Sequence, residues 1–106
     1  PKSERENIAY LLSVMRDVSA PFGVVDPGKP NIAATRWRSV IDMTRKIYFF
    51  ESTISPNIVW VDLHRLDFRA GASVRKLDLV KQKDYVGDVS NKFSVAKPFV
   101  FLTPKM

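Results

Sequence analysis

Thr35-Arg36-Trp37-Arg38-Ser39-Val40-Ile41-Asp42-Met43, Lys46-Ile47-Tyr48-Phe49-Phe50-Glu51-Ser52 and Ile58-Val59-Trp60-Val61-Asp62-Leu63 are three closely spaced runs rich in β-branched and aromatic residues. Runs of that composition and length, separated by only a few residues, predict an antiparallel meander over 35–43, 46–52 and 58–63. The first two meet across a tight turn at Thr44-Arg45, although neither residue is the glycine or asparagine that the tightest hairpins favour. Ser55-Pro56-Asn57 leads into the third run, which is apolar on both faces apart from Asp62 and so expects cover on both sides. In the first run Trp37 alternates with Arg36 and Arg38, so one face is aromatic and the other charged. The ordinary reading turns Trp37 inward and both arginines outward, and Tyr48, Phe49, Phe50 and Trp60 likewise read as core.

Upstream of the meander the pattern changes period. Ile8, Leu11, Leu12 and Met15 fall at i, i+3, i+4 and i+7, one apolar stripe on a helix that Val18 extends. Ser3 followed by Glu6 has capping-box spacing, and Ser19-Ala20-Pro21 ends the run. The helix is predicted over 4–18, its stripe packed on the sheet. Residues 19–34 form a proline- and glycine-rich loop, with Asp26-Pro27-Gly28-Lys29-Pro30 as a turn and Phe22, Val24, Val25 and Ile32 available to pin it. Downstream, Ser73 to Val80 alternates as a half-buried strand, and Pro98 to Leu102 reads as a last strand. One helix followed by mainly antiparallel strands makes the class α+β.

Composition narrows the function. A chain of 106 residues that is 45% hydrophobic suffices for one small domain. With no cysteine, the chain offers no disulfide framework, thiolate metal site or thiol nucleophile of its own. The formal charge of +6 raises the question of nucleic acid. Its sources, such as Arg36, Arg38, Arg45, Lys46, Arg75, Lys76, Lys81 and Lys83, are scattered and mostly near acids, which fits a solvated basic surface instead. No apolar stretch is long enough to span a bilayer. The expected partners therefore include neither nucleic acid nor membrane.

Among single residues, the lone His64 invites an acid–base or metal role, with Asp62 and Asp67 as conceivable co-ligands. Asp62 and His64 share a face only if the strand continues past Leu63, and a lone histidine after a strand is more often structural or merely exposed. Arg36-Trp37-Arg38 could offer cations and a ring to an anionic ligand, but alternation sends them to opposite faces. Ser3 is explained as a helix cap rather than a nucleophile.

The ordered set is more telling than any one piece. Asn31 to Asp42, Lys46 to Ser52 and Asn57 to Leu63, preceded by the helix Ile8 to Val18 and Ser19-Ala20-Pro21-Phe22-Gly23, resemble the carboxyl-terminal hairpin region of the choloylglycine hydrolase and penicillin V acylase family. The likeness runs over about residues 5–80. It implies the C-terminal part of an αββα N-terminal-nucleophile sandwich in a periplasmic or secreted bacterial hydrolase of non-peptide linear amides, such as bile-salt conjugates, penicillin V or acyl-homoserine lactones. In that family a terminal cysteine attacks the amide with its own α-amino group as base. The resemblance puts this nucleophile and its arginine, aspartate and asparagine partners upstream of Pro1. It therefore assigns this chain no catalytic, cofactor-binding or metal residue, and implies that the chain alone is inactive. Its expected partner is the remainder of the parent hydrolase, or another copy through exposed strand edges. The rival readings are a self-sufficient α+β interaction module and, on charge alone, a nucleic-acid-binding domain.

Overall fold

A computed structural model describes residues 2–21, 23, 26–29, 33–55, 57–79 and 85–104. Helix α1 spans Glu4–Asp17, with Ser3 as N-cap accepting the Glu6 amide at 3.1 Å. Glu6 reaches back to the amide of Lys2 rather than that of Ser3, so the capping box closes one residue early. Strands β1 (Trp37–Asp42), β2 (Ile47–Ser52) and β3 (Ile58–Asp62) form the predicted antiparallel meander. A two-residue strand β5 (Gly87–Asp88) joins β3 in parallel, giving the order β1-β2-β3-β5. Between them in sequence lie a 3-10 turn at Leu63–Arg65 and β4 (Arg75–Lys76), which pairs with β6 (Ser94–Val95) in a separate ribbon.

The hairpin turn works without glycine because Lys46 takes the left-handed conformation, at φ 59°. Asp42 steadies the turn through one carboxylate oxygen, which accepts from the amides of Thr44 and Arg45 at 3.1 and 3.0 Å. Arg45 then bridges Asp42 to Glu4, tying the turn to the first turn of α1. The Asp26–Lys29 turn also forms: Lys29 donates to the Asp26 carbonyl and Gly28 to its side chain, both at 2.9 Å. The expectation that Phe22, Val24, Val25 and Ile32 pin the surrounding loop lies outside the described residues.

The antiparallel register divides the sheet into two faces. Arg38, Val40, Ile47, Phe49, Glu51, Ile58 and Trp60 share one face, and Ser39, Ile41, Tyr48, Phe50, Val59 and Val61 the other. Helix α1 lies against β1 on the first, where Leu12 and Val40 are buried. On the second, Val59, Val61 and the fully enclosed Val89 make the hydrophobic core, flanked by Phe50, Leu77, Leu79, Tyr85 and Phe93. Gly87 makes this closure possible: its φ of 78° suits glycine, and its backbone runs beside the Trp60 ring.

Four expectations change. Arg38 turns inward because Glu51 lies opposite and holds it, and Trp37 is 60% exposed because it stands on the other face at the edge strand β1, against the aromatic-in, charges-out reading. The helix stripe docks only in part: Leu12 is buried, but Leu11 and Met15 keep 43% and 36% exposure because α1 is rolled to bring Arg16 over the sheet. Of the strand predicted over 73–80 only Arg75–Lys76 pairs, since Leu77 and Leu79 leave the ribbon to enter the core; Val80 lies outside the described residues. The strand predicted over 98–102 is not formed, because the segment leaves β6 with no neighbouring edge beside it among the described residues, and Phe99 to Leu102 are each at least 78% exposed.

Candidate functional site

Two polar constellations concentrate the chemistry of the described residues. The first is centred on Glu51, whose side chain is 7% exposed. Its Oε1 accepts from Arg38 Nη1 at 2.7 Å and from Arg16 Nε at 3.2 Å, while Oε2 receives Arg16 Nη2. Arg38 Nε also donates to Ser19 Oγ at 2.8 Å, and that hydroxyl donates to the Met15 carbonyl. Alongside, Thr35 and Ala20 exchange two hydrogen bonds, Ala20 N to Thr35 Oγ1 at 2.9 Å and Thr35 N to the Ala20 carbonyl at 3.1 Å. One carboxylate thus joins the end of α1, the loop after it, β1 and β2. The hydrogen bond from Arg16 holds the Glu51 carboxyl below its ordinary range, with Arg38 adding to the effect and burial opposing it. With both oxygens engaged by guanidinium groups, Glu51 is a clamp and is poorly placed to take a proton from a substrate.

The second lies where β3 meets β5. The strand ends at Asp62 because that side chain caps the 3-10 turn, accepting the His64 amide at 3.0 Å. The turn folds His64 Nδ1 to 3.0 Å from the same oxygen, so Asp62 and His64 meet through a turn and not through strand alternation. Ser90, which is buried, accepts from Asp62 N at 2.9 Å and donates to Asp88 Oδ1 at 2.6 Å. Asp88 also accepts the Ser90 amide and Arg65 Nη1. The bonds from Ser90, side chain first, pull the Asp88 carboxyl below its usual value, and Arg65 reinforces them.

Aspartate, histidine and serine are therefore neighbours, but they do not form a nucleophilic relay. The Ser90 proton points to Asp88, and the His64 ring points to Asp62 on an exposed corner. Asp67 is engaged by Arg69 at 3.0 Å, and that guanidinium lowers its pKa. Among the described residues no group of three or more histidine, cysteine or acidic side chains is arranged to hold a metal ion. Neither Glu51 with its arginines nor Asp88 with Ser90 was singled out from sequence. The available signals were the Asp-x-Ser spacing of a local turn and a glutamate facing an arginine once the hairpin register is drawn.

An open apolar groove of about 570 Å³ separates α1 from the far side of the same face. Ile8, Leu12, Ile47, Phe49, Ile58 and Trp60 line it, and Arg5 and Arg45 stand at its rim. The rings of Phe49 and Trp60 make tilted contact there, 5.7 Å between centroids. Helix α1 covers β1 and leaves β2 and β3 half-buried on this face.

A sheet with a single helix at one side of it is how part of a layered α/β sandwich looks. Residues 1–85 match the family of linear amide C–N hydrolases, choloylglycine hydrolase family. The chain belongs to this family. It is 44% identical over 103 residues to a penicillin V acylase of Pectobacterium atrosepticum, an alignment spanning 94% of this chain and 27% of that protein. It also superposes on the structure of a penicillin V acylase from Agrobacterium tumefaciens with a TM-score of 0.79 at 43% identity, covering 96% of this chain and 33% of the other. The fold is that of the N-terminal-nucleophile hydrolases. The chain spans about a quarter to a third of the length of these two relatives.

Proposed function

We propose that this chain is the C-terminal scaffold of a penicillin V acylase-type hydrolase, and that the complete protein cleaves a non-peptide linear amide with a nucleophile supplied by the remainder of its chain. The carrying observation is the likeness to two penicillin V acylases, at 43% and 44% identity over nearly the whole chain. Penicillin V is accordingly the first substrate to try, ahead of bile-salt conjugates and acyl-homoserine lactones. Within that reading the Glu51 clamp fixes α1 on the sheet, and the remainder would fill the groove beside α1 and pair with β1, which has a strand on one side only among the described residues.

The dimensions support a part over a self-sufficient module. The Cα radius of gyration is 16.9 Å, against roughly 13 Å for a compact domain of this length. Trp37, Ile41 and Met43 on β1 and its following turn are each more than half exposed. Uncovered apolar surface of that kind marks an interaction site.

The test has two arms. The protein carrying this chain is assayed for release of the side-chain acid from penicillin V, with glycocholate and an acyl-homoserine lactone as comparisons; cleavage of none of the three would refute the hydrolytic reading. The isolated 106-residue chain should cleave none of them and should associate when examined by light scattering. A monodisperse monomer at tens of micromolar with a sharp unfolding transition would instead favour the interaction module.

A further inference from the structure

Among the described residues, helix α1 is fastened to the sheet by charge at both ends and by one buried side chain between them. At its C-terminal end Arg16 is bound by Glu51 of β2, which Arg38 of β1 also engages. Ile58 of β3, opposite Glu51, is apolar, and Ser19 joins the network through Arg38. At its N-terminal end Glu4 meets Arg45 at 2.8 Å, and Asp42 holds Arg45 in turn at 2.7 Å. Between these ties Leu12 is buried on the side of β1, where Val40 is buried too. Beyond the helix, Ala20 and Thr35 exchange two hydrogen bonds that involve no ionisable group. The opposite face of the sheet rests on Val59, Val61 and Val89, and the Asp88 carboxylate there pins the β5 corner.

We infer that α1 is an acid-released latch: protonation of the carboxylates at its two ends frees the helix to swing away from β1 about residues 18–20, while the meander stays folded. Charge makes the attachment conditional. A guanidinium beside a protonated, neutral carboxyl has lost its ion pair, and the apolar contact that remains is one buried side chain wide. The ties hold at neutral pH and fail in acid. Glu51 lies below its ordinary range through the hydrogen bond from Arg16, and Asp42 through the amide of Arg45. Such a carboxylate gives its full stabilisation above the unfolded value and loses it as pH falls through the folded one. The window therefore lies below about pH 4, the ordinary range of these groups. The direction of the swing follows from the anchor. The hydrogen bonds between Ala20 and Thr35 do not titrate, so the C-terminal end stays tethered and the N-terminal end moves farthest. What opens is one wall of the groove, as Ile8 and Leu12 leave the floor of Ile47, Phe49, Ile58 and Trp60. A segment with few buried apolar contacts opens at lower free energy than the fold as a whole. The inference does not rest on the hydrolytic reading.

The test is hydrogen–deuterium exchange on the full protein carrying this chain, read as protection factors so that the intrinsic pH dependence of exchange is removed. From neutral pH to about pH 3, the amides of residues 8–17 should lose protection about tenfold or more. Those of β2 and β3 should keep theirs. Glu51→Gln should show the low α1 protection already at neutral pH, with β2 and β3 unaffected. Its further fall in acid should be small, coming from the exposed Glu4–Arg45 tie. Asp88→Asn, on the other face, should leave the α1 profile as in the parent. Three results would overturn the proposal: α1 and the meander losing protection together, an α1 that keeps its protection in acid, or a Glu51→Gln protein whose α1 follows the parent at every pH. A Glu51→Gln protein unfolded throughout counts with the first, since helix and sheet would then be one unit.

Discussion

The two faces of the meander are held by different physics. Toward α1, the sheet is fastened by Glu51 between two arginines, with Leu12 and Val40 as the buried apolar residues of that side. Toward the C-terminal half, Val59, Val61 and Val89 make an apolar contact that needs no ion pair. A charged clamp sets direction: it fixes which way α1 rolls, at the cost of desolvating Glu51 and Arg38. An apolar contact is tolerant of direction and requires only area. The difference teaches why the helix leaves much of its stripe in solvent. Its orientation follows Arg16, which must reach Glu51, and Leu11 and Met15 are left only partly buried.

The largest effect should come from breaking the clamp. Glu51→Ala leaves Arg38 buried, at 16% side-chain exposure, with no carboxylate. We expect a loss of roughly 3 kcal/mol, at the low end for a broken buried pair because Arg16 is half exposed and can turn to water. A urea titration in which this variant unfolds with the parent chain would show that the clamp is idle. Val89→Ala on the other face should cost less, about 2 kcal/mol, by opening a space in the wholly enclosed core. A larger loss from Val89→Ala than from Glu51→Ala would reverse the ranking of the two faces.

Acid separates the faces further. The folded-state pKa of Glu51 lies below its unfolded value because Arg16, then Arg38, favour the charged form. The stabilisation it gives is complete above the unfolded value near pH 4 and is lost as pH falls through the lower folded value. Stability should therefore decline on acidification below about pH 4, and Glu51→Gln should flatten that part of the profile. Asp88 is also shifted down, but it is 45% exposed and contributes less. A Glu51→Gln profile parallel to the parent down to the lowest pH would assign the acid sensitivity elsewhere.

Much of this was legible in the sequence. Ser3 before an apolar stripe announced α1, and alternating β-branched and aromatic runs announced three strands. What alternation cannot state is which face is inside. For β1 a partner 13 residues away draws Arg38 inward, while Trp37, on the face of the Val59–Val61 core, stays at its uncovered edge. The C-terminal half was poorly legible for another reason. Strands of two residues at Gly87–Asp88 and Ser94–Val95 are too short for any period to show, and they are fixed by contacts with β3 and β4. The candidate sites follow the same rule: Asp62 and His64 were visible as neighbours in sequence, but Ser90 joins them across 28 residues.

The smallest effect in the isolated chain, and the one that most sharpens the contrast between faces, concerns Trp37. On β1 it belongs to the same face as the Val59–Val61 core, but it stands at the uncovered edge of that face, 60% exposed. In the isolated chain, then, Trp37→Ser removes little that is buried, and surface substitutions of this kind stay within about 0.5 kcal/mol. In a protein whose remaining strands close over β1, the same ring would be enclosed. There the substitution should cost about 3 kcal/mol or more, as loss of a large buried aromatic does. The measurement is a pair of unfolding midpoints for Trp37→Ser, one in the 106-residue chain and one in the full protein. A large cost in the complete protein beside a negligible one in the chain would mean that the aromatic-in reading of β1 describes the assembled molecule. Equal and small costs would leave Trp37 a surface residue in both, and would remove this face of β1 from the contacts expected of the remainder.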